Sequence, residues 1–380
     1  MTQFRRGLPE EMPDILDFGN YVFSHAHRPH DFRSLIPKVY GEGHEDSAAF
    51  HFLALEEGRI RGMIAAYPHQ YHVGSEVLNT RFIGTVSVHP YSRGSGYMKH
   101  LMQDVEDACI AENVDIAFLG GQRQRYRYFG YEVGGMAIRF DLTKACLKHT
   151  EKPEEERISL VPIEEDDLEL QDLAFGFYET RPVTGRSREE FYEVLCTWNS
   201  RPFAVFLDTD CVGYLVANGN TVFEETMDPE LLPSVLSVYM RDYGPFDGLK
   251  LMARAYEKDV IDVLSDIAEN SSIVENHQFK IYNWPKVLKA FLELKNSHDP
   301  LSDGCLSLTI EGEGSVLIVV SEGKVEVQEY ETDEPDLVLK PTQAIRTLTT
   351  PEYWYRGLHS EKIPEGWFPL TFGLTALDEF

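Results

Sequence analysis

The chain has 380 residues, 43% of them hydrophobic and 26% charged, and a formal net charge of −28. That length predicts two or three domains rather than one small core, and the composition is globular, which excludes long disorder. The charge disfavours nucleic acid phosphates and anionic membranes as partners and favours cationic small molecules, although an acidic surface also serves plain solubility.

The first seven residues hold Arg5 and Arg6, but Glu10, Glu11 and Asp14 follow where a signal peptide would carry an apolar stretch. No apolar run reaches membrane-spanning length. The five cysteines (Cys109, Cys146, Cys196, Cys211, Cys305) are scattered and lack metal-ligand spacing. They read as free thiols of a cytoplasmic protein, and no metal site is expected.

Along the chain, Phe50–Leu55 and Ile60–Tyr67 read as strands of a hairpin around Glu56-Glu57-Gly58-Arg59, with Gln70–Val73 continuing the meander. Phe82–Val88 reads as a strand ended by His89-Pro90. Tyr97–Asn113 has apolar residues three to four apart and predicts a helix. Val114–Leu119 and Gly134–Phe140 predict two more strands, giving an α/β layer with a mixed sheet. A linker follows: Glu151–Asp172 holds ten acidic residues and two basic ones.

A second unit starts near Ile158. Helices are expected at Asp166–Thr180, Arg188–Leu195, Pro229–Tyr243 and Val260–Ile267, and strands at Phe203–Leu207, Val212–Ala217 and Leu249–Ala253. A third unit opens near Trp284 with a helix over Pro285–Lys295. Strands at Cys305–Ile310, Gly314–Val320 and Lys324–Glu329 follow, then a helix over Leu339–Thr347. The last thirteen residues, Phe368–Phe380, are too apolar for a frayed end and should be packed.

The chemically informative stretch is Val86-Ser87-Val88-His89-Pro90-Tyr91-Ser92-Arg93-Gly94-Ser95-Gly96-Tyr97-Met98. A strand enters a loop with an arginine and two glycines, and the loop opens a helix. The glycines let backbone N–H groups converge, and the helix N-terminus and Arg93 add positive charge, which makes a cradle for a pyrophosphate. The bland alternative is a surface turn before a helix. The spacing is neither a P-loop nor a dinucleotide fingerprint.

This segment resembles the acetyl-CoA loop of the GCN5-related N-acetyltransferase (GNAT) superfamily, Arg/Gln-x-x-Gly-x-Gly/Ala. Arg93 and Gly96 match its first and fourth positions. Met98 departs from the small sixth residue, as in the enhanced-intracellular-survival (Eis-like) branch. Tyr126-Arg127-Tyr128-Phe129-Gly130-Tyr131, after Ala117-Phe118-Leu119-Gly120-Gly121, is similar to that branch's Tyr-x-x-Phe-Gly-Tyr element. The resemblance spans the whole chain and is faintest in the middle. It implies tandem GNAT domains (1–150, and a degenerate second at 151–283) followed by an α+β sterol-carrier-protein-like domain (284–380) whose tail reaches the active site.

It further implies acetyl-CoA as co-substrate, with Val86 and Val88 holding the pantetheine arm and Arg93, Gly94, Ser95, Gly96, Tyr97 and Met98 around the pyrophosphate. Tyr126 aligns with the general acid, the α-carboxylate of Phe380 with the general base, and Glu379 with an acidic residue beside the amine. The implied reaction is direct acetyl transfer to a cationic amine, aminoglycoside- or polyamine-like, in a homo-oligomer, since relatives form hexamers. Elementary chemistry agrees in part. A tyrosine near pKa ~10 protonates a thiolate readily, whereas a carboxylate near ~3.5 is a weak base unless desolvated or linked by water. Arg123, Arg125 and Arg127 either favour an ionised Tyr126 or face solvent. His51, His69, His72 and His89 read as structural. Two other functions stay open: a non-catalytic acyl-CoA or lipid-binding protein, and a protein or peptide acetyltransferase.

Overall fold

The computed structural model describes residues 2–26, 28–356 and 362–380. Its first part contains strands β1 (Thr2–Arg6), β2 (His51–Glu56), β3 (Arg59–Val73), β4 (Glu76–Val88), β5 (Ile116–Leu119) and β6 (Glu132–Thr143). The β2–β3 hairpin turns at Glu57 and Gly58 as expected. Gln70–Val73 belongs to β3 itself, which turns through Gly74 (φ 59°) and pairs with β4 from Val73↔Glu76 to Gly62↔Val88. The helix Tyr97–Ala111 buries Tyr97, Leu101, Met102, Val105 and Cys109, the stripe its spacing predicts. A helix over Met12–Ala26, which is not among the elements expected from the sequence, covers the same part of the sheet.

The middle of the chain adds β7 (Ile158–Pro162), β8 (Val183–Thr184), β9 (Arg201–Leu207), β10 (Asp210–Asn218), β11 (Thr221–Met227), β12 (Gly248–Arg254) and β13 (Asn270–Ile281). These strands continue the first sheet. Thirteen strands form one mixed sheet in the order β1-β2-β3-β4-β5-β13-β6-β12-β11-β10-β9-β7, with β8 on β3. Strand β13 lies between β5 and β6, antiparallel to both, and β12 borders β6 on its other side. The boundary near residue 150 is thus one of chain order, and the sheet runs across it.

Strands β14 (Gly304–Ile310), β15 (Gly314–Ser321), β16 (Lys324–Glu329) and β17 (Leu337–Leu339) form a second sheet, ordered β16-β15-β14-β17. The helix before it, Trp284–His298, is capped by Asn283, whose side chain accepts from the Lys286 N–H, and has Pro285 in its first turn. The expected helix near 339–347 starts two residues later, at Pro341, because Leu337–Leu339 pairs with β14. The second sheet shares one hydrophobic core with β3, β4, β5 and β13 and with the tail residues Trp367, Phe368, Leu370, Phe372 and Leu374. Phe372 is fully buried and stacks on Phe291 with centroids 4.3 Å apart.

The tail also carries buried charge. The Arg186 guanidinium donates to both Glu224 carboxylate oxygens (2.8 and 2.7 Å) and to Asp378 Oδ1 (2.7 Å), and lies over the Tyr178 ring. This arginine holds Glu224 and Asp378 below the usual carboxylate range against the opposing effect of burial. Removing one member of such a buried set costs about 3–5 kcal/mol, because the others stay desolvated without a partner. Arg186→Met is therefore expected to lower the unfolding free energy measured by chemical denaturation by an amount in that range, with a lower midpoint, and to open the tail to carboxypeptidase. A midpoint within error of the parent would show that the ion set does not hold the tail.

Candidate active site

Parallel β4 and β5 pair only from Thr80↔Ile116 to Ile83↔Leu119. Beyond that point β4 continues through Gly84–Val88, while the chain after Leu119 leaves the sheet through Gly120 and Gly121. The strands part, and a cavity of about 1170 Å³ opens between them. Among the described residues the edge of β4 beyond Ile83 has no strand partner on this side, so its N–H and C=O groups suit an extended, amide-bearing ligand. A bulge marks the split: Met63 pairs with Ser87 but Ala65 with Gly84, and Thr85 takes φ 44°. Positive φ in a β-branched residue is strained, and bulges of this kind re-aim side chains beside functional sites.

The cavity is lined by ten of the residues singled out from the sequence: Val86, Val88, Arg93, Gly94, Gly96, Tyr97, Met98, Tyr126, Glu379 and Phe380. Ser95 is exposed in the same loop but outside the lining. Gly94 (φ 86°) and Gly96 (φ 81°) have backbone conformations that disfavour other residues, and a Cβ on either would meet no protein atom within 4 Å. The space in front of these glycines is open. The helix starting at Tyr97 has Gly96 as its N-cap and no side-chain cap, so its first N–H groups remain available to an anion. Arg93, Lys99 and Arg125 supply cations to the lining. This cradle fits a pyrophosphate.

Tyr126 sits on the short helix Arg123–Arg127 and is 5% exposed. Its ring packs on Gly121 (φ 130°), where a Cβ would come within 2.8 Å of Cε2. Burial pushes the hydroxyl above the ordinary tyrosine range, and Arg125 pulls the other way. The neighbouring arginines divide: Arg123 and Arg127 pair with buried Glu132, and Arg125 alone bears on Tyr126. Burial being the larger effect, the phenol is held protonated.

The tail enters as a turn of 3-10 helix, Ala376–Asp378. The Phe380 ring stacks on Tyr67 (5.4 Å) and Tyr40 (5.9 Å), and a Cβ on Gly84 would lie 2.8 Å from the Phe380 carbonyl oxygen. The Phe380 main chain therefore abuts β4 at the bulge. Glu379 Oε1 lies 2.7 Å from His277 Nε2. His277 and Trp198 line the cavity, as do Val22, Phe23, Phe32 and Phe82. None of these six stood out in the sequence. His277 lies on β13, in a segment without clear alternation, and no local motif marks it. His51 is buried and His69 half-buried, and desolvation pushes each down to about 4, in keeping with structural roles. Among the described residues no group of three or more His, Cys, Asp or Glu is placed to hold a metal, and no helix is long and apolar enough to cross a membrane.

The site is thus a split mixed sheet with an anion cradle at the mouth of the split, in an α/β fold. Residues 3–134 match the acetyltransferase (GNAT) domain family, which supports a GNAT-type domain in that part of the chain. No curated protein is matched by the sequence. Among solved structures the chain is similar in fold to a GCN5-related N-acetyltransferase from Kribbella flavida (15% identity, TM-score 0.65, 94% of this chain and 92% of that one). It is similar also to Eis1 from Mycobacterium abscessus (13%, 0.64, 100% of each) and to a GCN5-related N-acetyltransferase from Anabaena variabilis (15%, 0.62, 90% and 88%).

The cradle predicts how CoA responds to two substitutions. Gly96→Val fills the open approach and strains φ, and is expected to weaken CoA by more than about tenfold. Arg93→Ala should cost less, because the side chain is exposed and screened. Calorimetric titration with CoA tests both, and unchanged affinity in the pair would reject the cradle.

Proposed function

We propose that the protein is an acetyl-CoA-dependent N-acetyltransferase (EC 2.3.1.-) of the Eis-like branch, acting on a primary amine of a cationic small molecule, aminoglycoside- or polyamine-like. On this reading residues 1–150 form the catalytic GNAT domain, 151–283 a degenerate second one, and 284–380 a sterol-carrier-like domain that delivers the tail. The observation that carries the reading is the convergence on one cavity of the cradle, Tyr126, Glu379 and Phe380, from parts of the chain up to 287 residues apart. Likeness to Eis1 over the full length of both chains supports the branch at the level of fold.

Acetyl-CoA would supply the thioester, with its pantetheine arm along Val86 and Val88 and its pyrophosphate against Arg93, Gly94, Ser95, Gly96, Tyr97 and Met98. Glu379 attracts the ammonium. The α-carboxylate of Phe380 takes a proton from the nitrogen, its place set by the stacking of the Phe380 ring on Tyr40 and Tyr67. Tyr126, protonated in its buried setting, donates to the leaving thiolate.

Two measurements test these roles. Tyr126→Phe keeps the ring against Gly121 and removes the proton; kcat should fall by about 100-fold or more with acetyl-CoA affinity near that of the parent. Deleting Phe380 moves the carboxylate by roughly 3.5 Å, and a C-terminal tag converts it to a peptide bond. Both proteins should bind CoA and turn over slowly; the tagged protein should melt near the parent temperature, and the deletion, which also loses the ring stacked on Tyr40 and Tyr67, somewhat below it. Full turnover by Tyr126→Phe, or the untagged rate in a folded tagged protein, removes that residue from the mechanism. A panel of amines, polyamines, aminoglycosides and peptides with acetyl-CoA tests the acceptor class.

A further inference from the structure

Strand β13 is distorted where it passes the cavity. Glu275 pairs with Met136, Asn276 with Gly134 and Gln278 with Val133. Gly135 on β6 (φ 72°) and His277 on β13 (φ 35°) are the two residues left out of register. Such bulges redirect a side chain, and a non-glycine residue at positive φ is tolerated where the surroundings impose it. The redirected His277 ring is 6% exposed, lines the cavity, and meets Phe82 of β4 edge to face.

The protons on this ring can be assigned from its neighbours. The Leu374 N–H donates to Asn276 Oδ1 (2.8 Å), and Asn276 Nδ2 donates to the Leu374 carbonyl (3.2 Å). These two bonds fix the amide, so its oxygen faces His277 Nδ1 at 2.8 Å. An amide oxygen only accepts, so Nδ1 carries a hydrogen. The other nitrogen, Nε2, lies 2.7 Å from Glu379 Oε1. That contact requires one more proton, on Nε2 or on the carboxyl group. The observed geometry is that of a His277–Glu379 pair that has accepted a proton. The groups facing the ring are Asn276 on its own strand, Phe82 from β4 and Glu379 from the tail, and the ionisable one among them is Glu379.

We propose that His277 is a proton-relay residue that works through Glu379. The inference rests on the acetyl-transfer reading of the site. Acylating an ammonium removes two protons from its nitrogen, one before attack and one as the amide forms, and returns one to the sulfur. The nitrogen's lone pair forms the C–N bond, the C–S pair leaves with the sulfur, and one proton goes to solvent in each turnover. Two acceptors near the nitrogen are therefore useful. The Phe380 carboxylate is one. The other is the Glu379 carboxylate backed by neutral His277, which takes the second proton on Nε2 and reaches the arrangement seen here. Asn276 is the positioning residue that keeps Nε2 pointed at Glu379. The pair accepts the nitrogen's proton only after releasing its own to solvent.

The test uses the full chain with acetyl-CoA and either spermine or kanamycin as acceptor. His277→Gln retains a hydrogen-bond donor toward Glu379 but cannot accept a proton. The expected result is a kcat lower by about 100-fold or more, unchanged CoA affinity by calorimetry, and a pH profile of kcat/KM that differs from the parent's. His277→Gly suits the positive φ and leaves a ring-sized space, so added imidazole should restore rate as a function of its neutral fraction. Parental kcat and pH profile in His277→Gln, or a folded His277→Gly that imidazole does not rescue, would overturn the relay. A parent protein that binds CoA but acetylates no amine would instead overturn the acetyl-transfer reading, and the relay with it.

Discussion

The backbone of residues 370–379 belongs to no sheet, yet most of the segment is buried, so its polar groups have to be met one by one. The Leu370 N–H donates to the Leu348 carbonyl, and the Phe372 carbonyl accepts from the Met136 N–H. The Gly373 carbonyl accepts from the Tyr256 hydroxyl, and both polar groups of Leu374 are taken by Asn276. The carbonyl of Ala376 accepts from the Trp198 indole and that of Leu377 from Lys38 Nζ. These donors and acceptors come from β6, β13, the middle of the chain and the N-terminal part. The tail reaches the cavity only if all of those parts are already assembled, which makes a working site conditional on the complete fold.

Charge follows the same logic. The chain is strongly acidic overall, so a polyanionic ligand approaches against the net field. Arg93, Lys99, Arg125 and a free helix N-terminus offset this locally at the loop. At the tail the sign reverses, with Glu379 and Phe380 in the same lining. Behind the tail the carboxylates are neutralised inside the protein: Arg186 holds Asp378 and Glu224, and Arg181 and Arg254 hold Glu257. Lys38 is desolvated enough to bring its ammonium down to about 8, and its hydrogen bond to Leu377 fixes the tail without adding a full ion pair. The carboxylates left to face the cavity are thus separated from those used as anchors.

Local patterns in the sequence located what depends on neighbours in the chain. The hairpin around Glu57-Gly58, the helix at Tyr97 and its glycine loop, the capped helix at Trp284 and the apolar end all follow from spacing, turn residues and capping. What remained hidden depends on pairing at long range. Asn270–Ile281 carries Asn270, Ser271, Ser272, Glu275, Asn276 and His277 with no alternation, because this half of β13 is held by its ladder to β6, and β5 joins only from Gln278, so no single apolar face marks the strand. For the same reason the middle of the chain read as a separate unit, although its strands complete the first sheet. Thr85 looked like an ordinary strand residue, since a bulge is set by the register of its partner and leaves no mark on the strand that bears it.

Those two irregularities share a geometry. β5 is only four residues long, and the strands on either side of it, β4 and β13, each carry a non-glycine residue at positive φ beside the cavity: Thr85 at 44° and His277 at 35°. A short central strand leaves both neighbours without a partner past its end, and an unpaired edge is where a ladder can absorb an extra residue at least cost to its hydrogen bonds. The strain at each position is then held by contacts from outside the sheet. Thr85 Oγ1 accepts from Tyr40, whose ring stacks on Phe380, and the His277 ring is fixed between Asn276 and Glu379. Both locks involve the last two residues of the chain. The tail therefore maintains two strained backbone positions as well as contributing to the lining, and a displaced tail would relax the shape of the cavity along with its chemistry.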